Sequence, residues 1–142
     1  VGDTHGVADN VAGRIAETQV ILDAAEKYGI PREDVVIDAI CLATAAVPDS
    51  MQITLETLKV LSEEMGLTTI LGIGNAGYGM PTQTIIDLAY LIAAIPWGLH
   101  SALVDPKTAG LVDNVMAIDF LTNRDPYGMR YIQSYRAKKK KK

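Results

Sequence analysis

Thr68-Thr-Ile-Leu-Gly-Ile-Gly-Asn75-Ala-Gly-Tyr-Gly-Met-Pro81 decides how the rest of the chain is read. Its first part, carrying Ile70, Leu71 and Ile73, suits a short buried strand from Thr69 to Ile73. Its second part, with Gly77, Gly79 and Pro81, can neither continue a strand nor start a helix early. Between them stands one amide, Asn75. A strand therefore delivers a polar group to its end, and a glycine-rich loop leaves room there for a ligand to approach the backbone.

The same arrangement recurs along the chain. Val35-Val36-Ile37 runs into Asp38, Ala102-Leu103-Val104 runs into Asp105-Pro106, and Val1-Gly2 runs into Asp3. The intervals are 35 residues from Asp3 to Asp38, 37 to Asn75 and 30 to Asp105, each long enough for a strand, a helix and two loops. Helical spacing fills the intervals. Val11, Ile15, Ala16, Ile21, Leu22 and Ala25 form one apolar face, with Asp9 or Asn10 as a cap and Gly29 as a stop. A long loop from Ala39 to Ser50 leads to a helix from Met51 or Gln52 to Met65, which ends at Gly66. Thr82 is placed to cap a helix from Ile85 to Ala94, a strand follows from Ser101 to Val104, and helices around Leu111 to Leu121 and Met129 to Arg136 close the chain. In a parallel βα series all strand C-termini lie on one face, where ligands bind, so Asp3, Asp38, Asn75 and Asp105 are expected at one rim.

Length and composition set limits on this reading. The chain has 142 residues, 49% hydrophobic and 21% charged, which suits a globular domain. A complete eight-stranded βα barrel needs ~250 residues, so the repeat is either a smaller open sheet or part of a larger protein. Val1-Gly2-Asp3 reads as the last turn of a strand, which favours a C-terminal fragment. Residues 1–137 carry 8 positive and 17 negative charges, and an acidic body of this kind argues against nucleic-acid binding. Lys138 to Lys142 read as a solvated, disordered tail. The most apolar run, Ile85 to Val104, holds Asp87, Pro96 and His100 and is not a membrane span. One cysteine, Cys41, excludes an internal disulfide and, with no secretory signal in view, points to the cytoplasm.

Other chemistries are weakly supported. Gly72-Ile-Gly74-Asn-Ala-Gly77 matches the dinucleotide pattern, but there the third glycine lies inside the opening helix, whereas here Tyr78-Gly79-Met80-Pro81 intervenes. His5 and His100 are far apart, Cys41 has no partner at ligand spacing, and no base is visible for a cysteine nucleophile. The helix from Ile85 to Ala94 is apolar almost all round, which calls for a second contact, either another subunit or a further part of the same chain.

Taken in order, Val35-Val-Ile-Asp38, the helix Met51 to Met65, Leu71-Gly-Ile-Gly-Asn75-Ala-Gly-Tyr-Gly-Met-Pro81 and Ser101-Ala-Leu-Val-Asp105-Pro106 resemble the pterin-binding methyltransferases. These are the methyltetrahydrofolate to corrinoid protein methyltransferases and the folate domain of cobalamin-dependent methionine synthase. Their usual loop reads Gly-Leu-Ser-Asn-Val-Ser-Phe-Gly-Leu-Pro, followed shortly by Arg. The resemblance implies the C-terminal half of a (β/α)8 TIM barrel over residues 1–137, a homodimer, tetrahydrofolate as substrate, and cobalamin or another corrinoid carried by a partner protein. It implies that Asp38 grips the aminopyrimidine edge of the pterin and that Asn75 is the catalytic residue near N5, with Gly77, Gln83 and Asp105 completing the pterin-binding set. Among the departures from the pattern, Gly74 stands for Ser, Tyr78 for Phe and Gln83 for Arg, and the last removes that arginine's contact with the pterin or the folate tail. The family's other pterin-binding residues lie on earlier strands, so these residues alone are expected to be inactive. A dihydropteroate synthase shares the barrel, but its phosphate-binding lysine and arginine would have to come from rim loops that offer only Lys107. A fragment or paralogue that binds a pterin or a partner without turnover is the other alternative.

Overall fold

The computed structural model describes residues 2–3 and 6–140, with only the backbone described at Gly2 and Asp3; His5, one of the two histidines, lies outside the described residues. The chain forms two compact units, the first reaching Asp105 and the second beginning at Pro106.

The first unit is built on three parallel strands in the order β3 (Val36–Asp38), β4 (Thr68–Gly72) and β5 (Ser101–Leu103). The register pairs Asp38 with Ile70 and Gly72 with Leu103. Helices alternate with these strands, as a partial (β/α)8 barrel requires: α1 (Val11–Lys27) precedes β3, α2 (Ser50–Lys59) joins β3 to β4, and α3 (Gln83–Ala94) joins β4 to β5. The fourth expected strand differs. β1 (Gly2–Asp3) pairs antiparallel with β2 (Gly6–Val7) in a separate two-stranded ribbon and does not extend the parallel sheet. A two-residue Gly-Asp strand is too short to be held in the sheet, and a short ribbon satisfies the backbone locally.

One face of the sheet is covered and the other is open. Ile37, Thr69 and Leu71 point toward the helices and are buried, as are Leu55, Leu58, Leu61 and Leu91 of the covering helical layer. On the opposite face Val36 is 50% exposed and Leu103 67% exposed. The alternation follows from the period of two along a strand, because residues matched in register share a face. Asp38, Ile70, Gly72 and Leu103 therefore belong to the open face.

α1 shows where periodicity was misleading. The residues it buries are Arg14, Thr18, Leu22 and Ala25, whereas Val20 and Ile21 lie outward. The expected Asn10 cap is present, with its Oδ1 accepting from Gly13 N at 2.8 Å. Thr82 precedes α3 but makes no capping bond, since its hydroxyl donates to Pro81 O. On α3, Tyr90, Leu91 and Ala94 face the core while Ile85 is 68% exposed. α2 ends in a π-helical turn from Val60 to Glu64, where the sequence suggested one regular helix to Met65.

That widened turn lies against the Gly98 bend. A Cβ on Gly98 would come within 2.5 Å of Ser62 Cβ and 3.1 Å of Leu58 O, and the residue has φ +100. Gly98 O also accepts from the buried Thr69 hydroxyl at 2.6 Å, and His100 Nδ1 accepts from Thr69 N at 3.3 Å. His100 thus belongs to a polar clasp at the N-terminal end of the sheet, opposite the strand ends that carry Asp38 and Asn75.

The second unit packs α4 (Leu111–Leu121) with α5 (Met129–Lys139) across a 3-10 turn at Pro126–Gly128. Asp125 holds the start of α5, its two carboxylate oxygens accepting from Arg130 N and Tyr131 N at 3.1 Å each. Burial pushes this carboxyl up, but those two N–H groups and the Arg130 guanidinium outweigh it and leave the group below its ordinary value. α5 runs through Lys138 and Lys139, which the sequence assigned to a disordered tail, and Lys138 pairs with Asp113.

Gly98→Ala is expected to destabilise the protein by roughly 2–4 kcal/mol, combining the cost of a positive φ with overpacking against Ser62. Urea unfolding measures this, and a loss under about 0.5 kcal/mol would show that the bend can shift away from α2.

Candidate functional site

The C-terminal ends of β3, β4 and β5 carry the polar residues singled out by the sequence. Asp38 is the last residue of β3 and is exposed. Asn75 closes a 3-10 turn, Ile73–Asn75, directly after β4, and Asp105 follows β5 by two residues; both are exposed. Ile73 and Ala76 are buried on either side of Asn75, so the backbone is anchored while the amide is left at the surface.

The Asn75 side chain folds back over the end of its own strand. Its Nδ2 lies 4.0 Å from where a Cβ on Gly72 would stand. Gly72 is on the open face of the sheet, two residues beyond Ile70, which is level with Asp38 on the neighbouring strand. The amide and the carboxylate therefore come to the same face at adjacent strand ends. A Cβ at position 72 would meet the amide at ordinary van der Waals distance, so the amide lies directly over this face of the strand end.

Both loops are tied down from behind. Asp38 Oδ1 accepts from Ile40 N at 2.8 Å, closing an Asx-type turn. Thr44 N donates to Ala76 O at 3.3 Å, joining the β3 loop to the β4 loop. Gln83 Nε2 donates to Gly74 O at 2.6 Å, and Asp87 Oδ1 accepts from Gly77 N at 2.8 Å. Gly77 is buried beneath α3, and a Cβ there would lie 3.0 Å from Gln83 Cγ, Gln83 O and Ile86 Cβ. Two of the residues assigned to the pterin, Gly77 and Gln83, thus have identifiable work inside the loop itself. α3 starts six residues after Gly77, so the glycine pattern does not put a helix N-terminus at the third glycine as a dinucleotide site would.

Four residues missed by the sequence reading lie directly behind this rim. Arg14 is fully buried; its Nη1 lies 2.7 Å from Ala39 O, 3.1 Å from Ile40 O and 3.0 Å from Thr54 Oγ1. Burial pushes the guanidinium below its ordinary value, opposed by the neighbouring Tyr90 and Asp38. Tyr90 is 3% exposed, and burial pushes its phenol up. The signal for Arg14 is the series 14, 18, 22, 25, a helical stripe that includes an arginine and a threonine and is less apolar than the face hydrophobicity selects. Asp87 could have been found as the lone charge in an apolar helix.

The chemistry available is hydrogen bonding and electrostatics. Burial pushes the Cys41 thiol up to about 11, which keeps it protonated and unreactive at neutral pH. Among the described residues no group of three His, Cys, Asp or Glu converges to hold a metal, and no helix is long and apolar enough to cross a membrane. A cleft of about 520 Å³ opens behind the Asn75 loop, lined by Thr44, Met51, Ala76, Met80, Ile86 and Tyr90 among others, but neither Asp38 nor Asn75 lines it. The candidate site is an open rim.

No family model matches the chain. The chain is similar to the methylcorrinoid:tetrahydrofolate methyltransferase of Eubacterium limosum, 20% identical over 137 residues, covering 94% of this chain. It spans about half (50%) of the length of that curated relative.

Proposed function

We propose that this chain supplies part of a site for methyl transfer between N5 of tetrahydrofolate and the cobalt of a corrinoid carried by a partner protein, in either direction. The observation that carries the reading is the pairing of Asn75 and Asp38 on the open face of the sheet, at adjacent strand ends. The likeness to a methylcorrinoid:tetrahydrofolate methyltransferase supports it at the level of reaction class.

Asp38 recognises the pterin. Its carboxylate accepts two parallel hydrogen bonds, from ring N3–H and the 2-amino group, in the geometry a carboxylate offers to any planar pair of donors. One oxygen already takes the Ile40 N–H, and the two oxygens together have lone pairs enough for all three bonds.

Asn75 acts at N5. A methyl group on a tertiary amine is a poor electrophile because the departing nitrogen keeps the electron pair of the broken C–N bond. A donor whose hydrogen bond strengthens as that charge develops stabilises the transition state more than the ground state. The Asn75 amide supplies such a donor without being an acid, and the proton that N5 finally takes comes from water. Run in reverse, N5 gives up that proton as the methyl arrives, and the same donor serves because the transition state is shared. The corrinoid supplies a cobalt centre nucleophilic enough to take the methyl without a protein base.

The rim then receives the corrinoid partner, and the outward face of α3, where Ile85 is exposed, meets a second copy of the chain in a homodimer. A second reading, pterin binding without turnover, is favoured by one observation. Gln83 stands where the related loops carry arginine, and its amide is used on Gly74 O.

In the complete protein that contains this chain, Asn75→Ala is expected to lower the methyl-transfer rate by roughly 100-fold, the usual effect of removing one aligned donor, with tetrahydrofolate affinity nearly kept. An unchanged rate, followed by the change in corrinoid absorbance, would remove Asn75 from the mechanism. Asp38→Asn is expected to weaken tetrahydrofolate binding by about 2 kcal/mol, roughly 30-fold, the worth of a charge-assisted hydrogen bond. Equal affinity by calorimetric titration would defeat that assignment, and tight binding with no transfer by the wild type would favour the second reading.

A further inference from the structure

We propose that Arg14 is a positioning residue that sets the direction of the Asp38 carboxylate through the backbone of Ile40. The inference rests on the reading above, in which Asp38 holds the pterin.

The chain of contacts begins with a strained residue. Ile40 has φ +62, a left-handed conformation that a β-branched side chain adopts only under constraint. Its N–H donates to Asp38 Oδ1 at 2.8 Å, so the peptide that aims the carboxylate belongs to the strained residue. Its carbonyl is gripped on the other side, accepting from Arg14 Nη1 at 3.1 Å and from the Thr54 hydroxyl at 2.8 Å.

The geometry calls for a guanidinium at this place. In an extended strand successive carbonyls point to opposite sides, yet Ala39 O and Ile40 O both lie within 3.1 Å of one Arg14 nitrogen. The chain has turned sharply at Ile40, and Arg14 collects the two carbonyls that the turn brings together. Ala39 is fully buried, with its own N–H donating to Ile70 O on β4 at 3.3 Å, so this side of the turn cannot move to relieve the strain. Arg14 is itself fixed, with Nε donating to Ala8 O at 3.2 Å and its carbonyl accepting from the Thr18 hydroxyl at 2.8 Å. Without Arg14 the peptide joining Ala39 to Ile40 loses the donor on its carbonyl and turns about the anchored Ala39, which relaxes Ile40 toward negative φ and carries the N–H at the other end of that peptide away from Asp38.

A double-mutant cycle in the complete protein tests this, with tetrahydrofolate as the titrant and thermal melts to identify folded variants. Arg14→Gln is expected to weaken tetrahydrofolate binding about tenfold, while the transfer rate at saturating folate stays within about threefold. Ile40→Gly removes the strain, since glycine adopts φ +62 freely, and should alone change affinity by less than about threefold. In the Arg14→Gln background it should recover at least about threefold of the lost affinity, which a merely structural role for Arg14 would not produce. Unchanged affinity in a folded Arg14→Gln protein, or a loss that Ile40→Gly does not relieve, overturns the proposal. Should Arg14→Gln fail to fold, Thr54→Val carries the test: it removes one of the two bonds to Ile40 O and should weaken binding about threefold, and no change overturns the proposal. The Asp38→Asn protein separates the two claims. If it binds normally, the pterin contact is wrong and the positioning role falls with it; if it binds weakly while Arg14→Gln does not, only the positioning role is lost.

Discussion

Parallel pairing of β3, β4 and β5 is the constraint on which the rest of this structure depends. Strands that run the same way must end on the same side, and the register that matches Asp38 with Ile70 and Gly72 with Leu103 brings the polar ends of two neighbouring segments to one face. The helices that return the chain cover the other face, leaving Val36 and Leu103 exposed. Asp38 and the Asn75 amide stand at the edge of that open face. Their juxtaposition needs no long-range folding beyond two adjacent βα units.

What the strands bring together, buried side chains hold still. The residue after β4 cannot be rigid by itself, because its loop is rich in glycine. Asp87 and Gln83 on α3 supply the missing rigidity by bonding the loop's own peptide groups. Arg14 on α1 and Thr54 on α2 do the same for the loop after β3. In each case the rim residue is exposed, while the residue that fixes its backbone lies behind it. A site of this form can recognise a flat heterocycle by two or three hydrogen bonds without enclosing it.

Much of this was legible in the sequence, and the failures have definite causes. The alternation of apolar runs with helical spacing gave β3, β4 and β5 within one or two residues, and α4 as Leu111–Leu121 in full. Val1-Gly2-Asp3 reads as the end of a barrel strand because its ending imitates the others, but so short a segment carries no pairing information, and β1 pairs with β2 instead. The expected face of α1 holds at Leu22 and Ala25 but fails at Ala16 and Ile21, which are exposed, because hydrophobicity selects them where the core needs hydrogen-bond donors more than apolar surface. That need arises from carbonyls turned inward by a positive φ at Ile40, which nothing in a β-branched residue announces. The roles of Gly77 and Gln83 within the loop were hidden for a similar reason, since they depend on how closely α3 approaches it.

The central claim is that the open rim grips the pterin edge of a folate, and a competition measurement reaches it most directly. Labelled tetrahydrofolate bound to the complete protein would be displaced with the two halves of the molecule separately, a simple pterin and p-aminobenzoylglutamate. The account predicts displacement by the pterin alone, because the named carboxylate and amide contact only that ring system. Displacement by p-aminobenzoylglutamate with no effect of the pterin would contradict it.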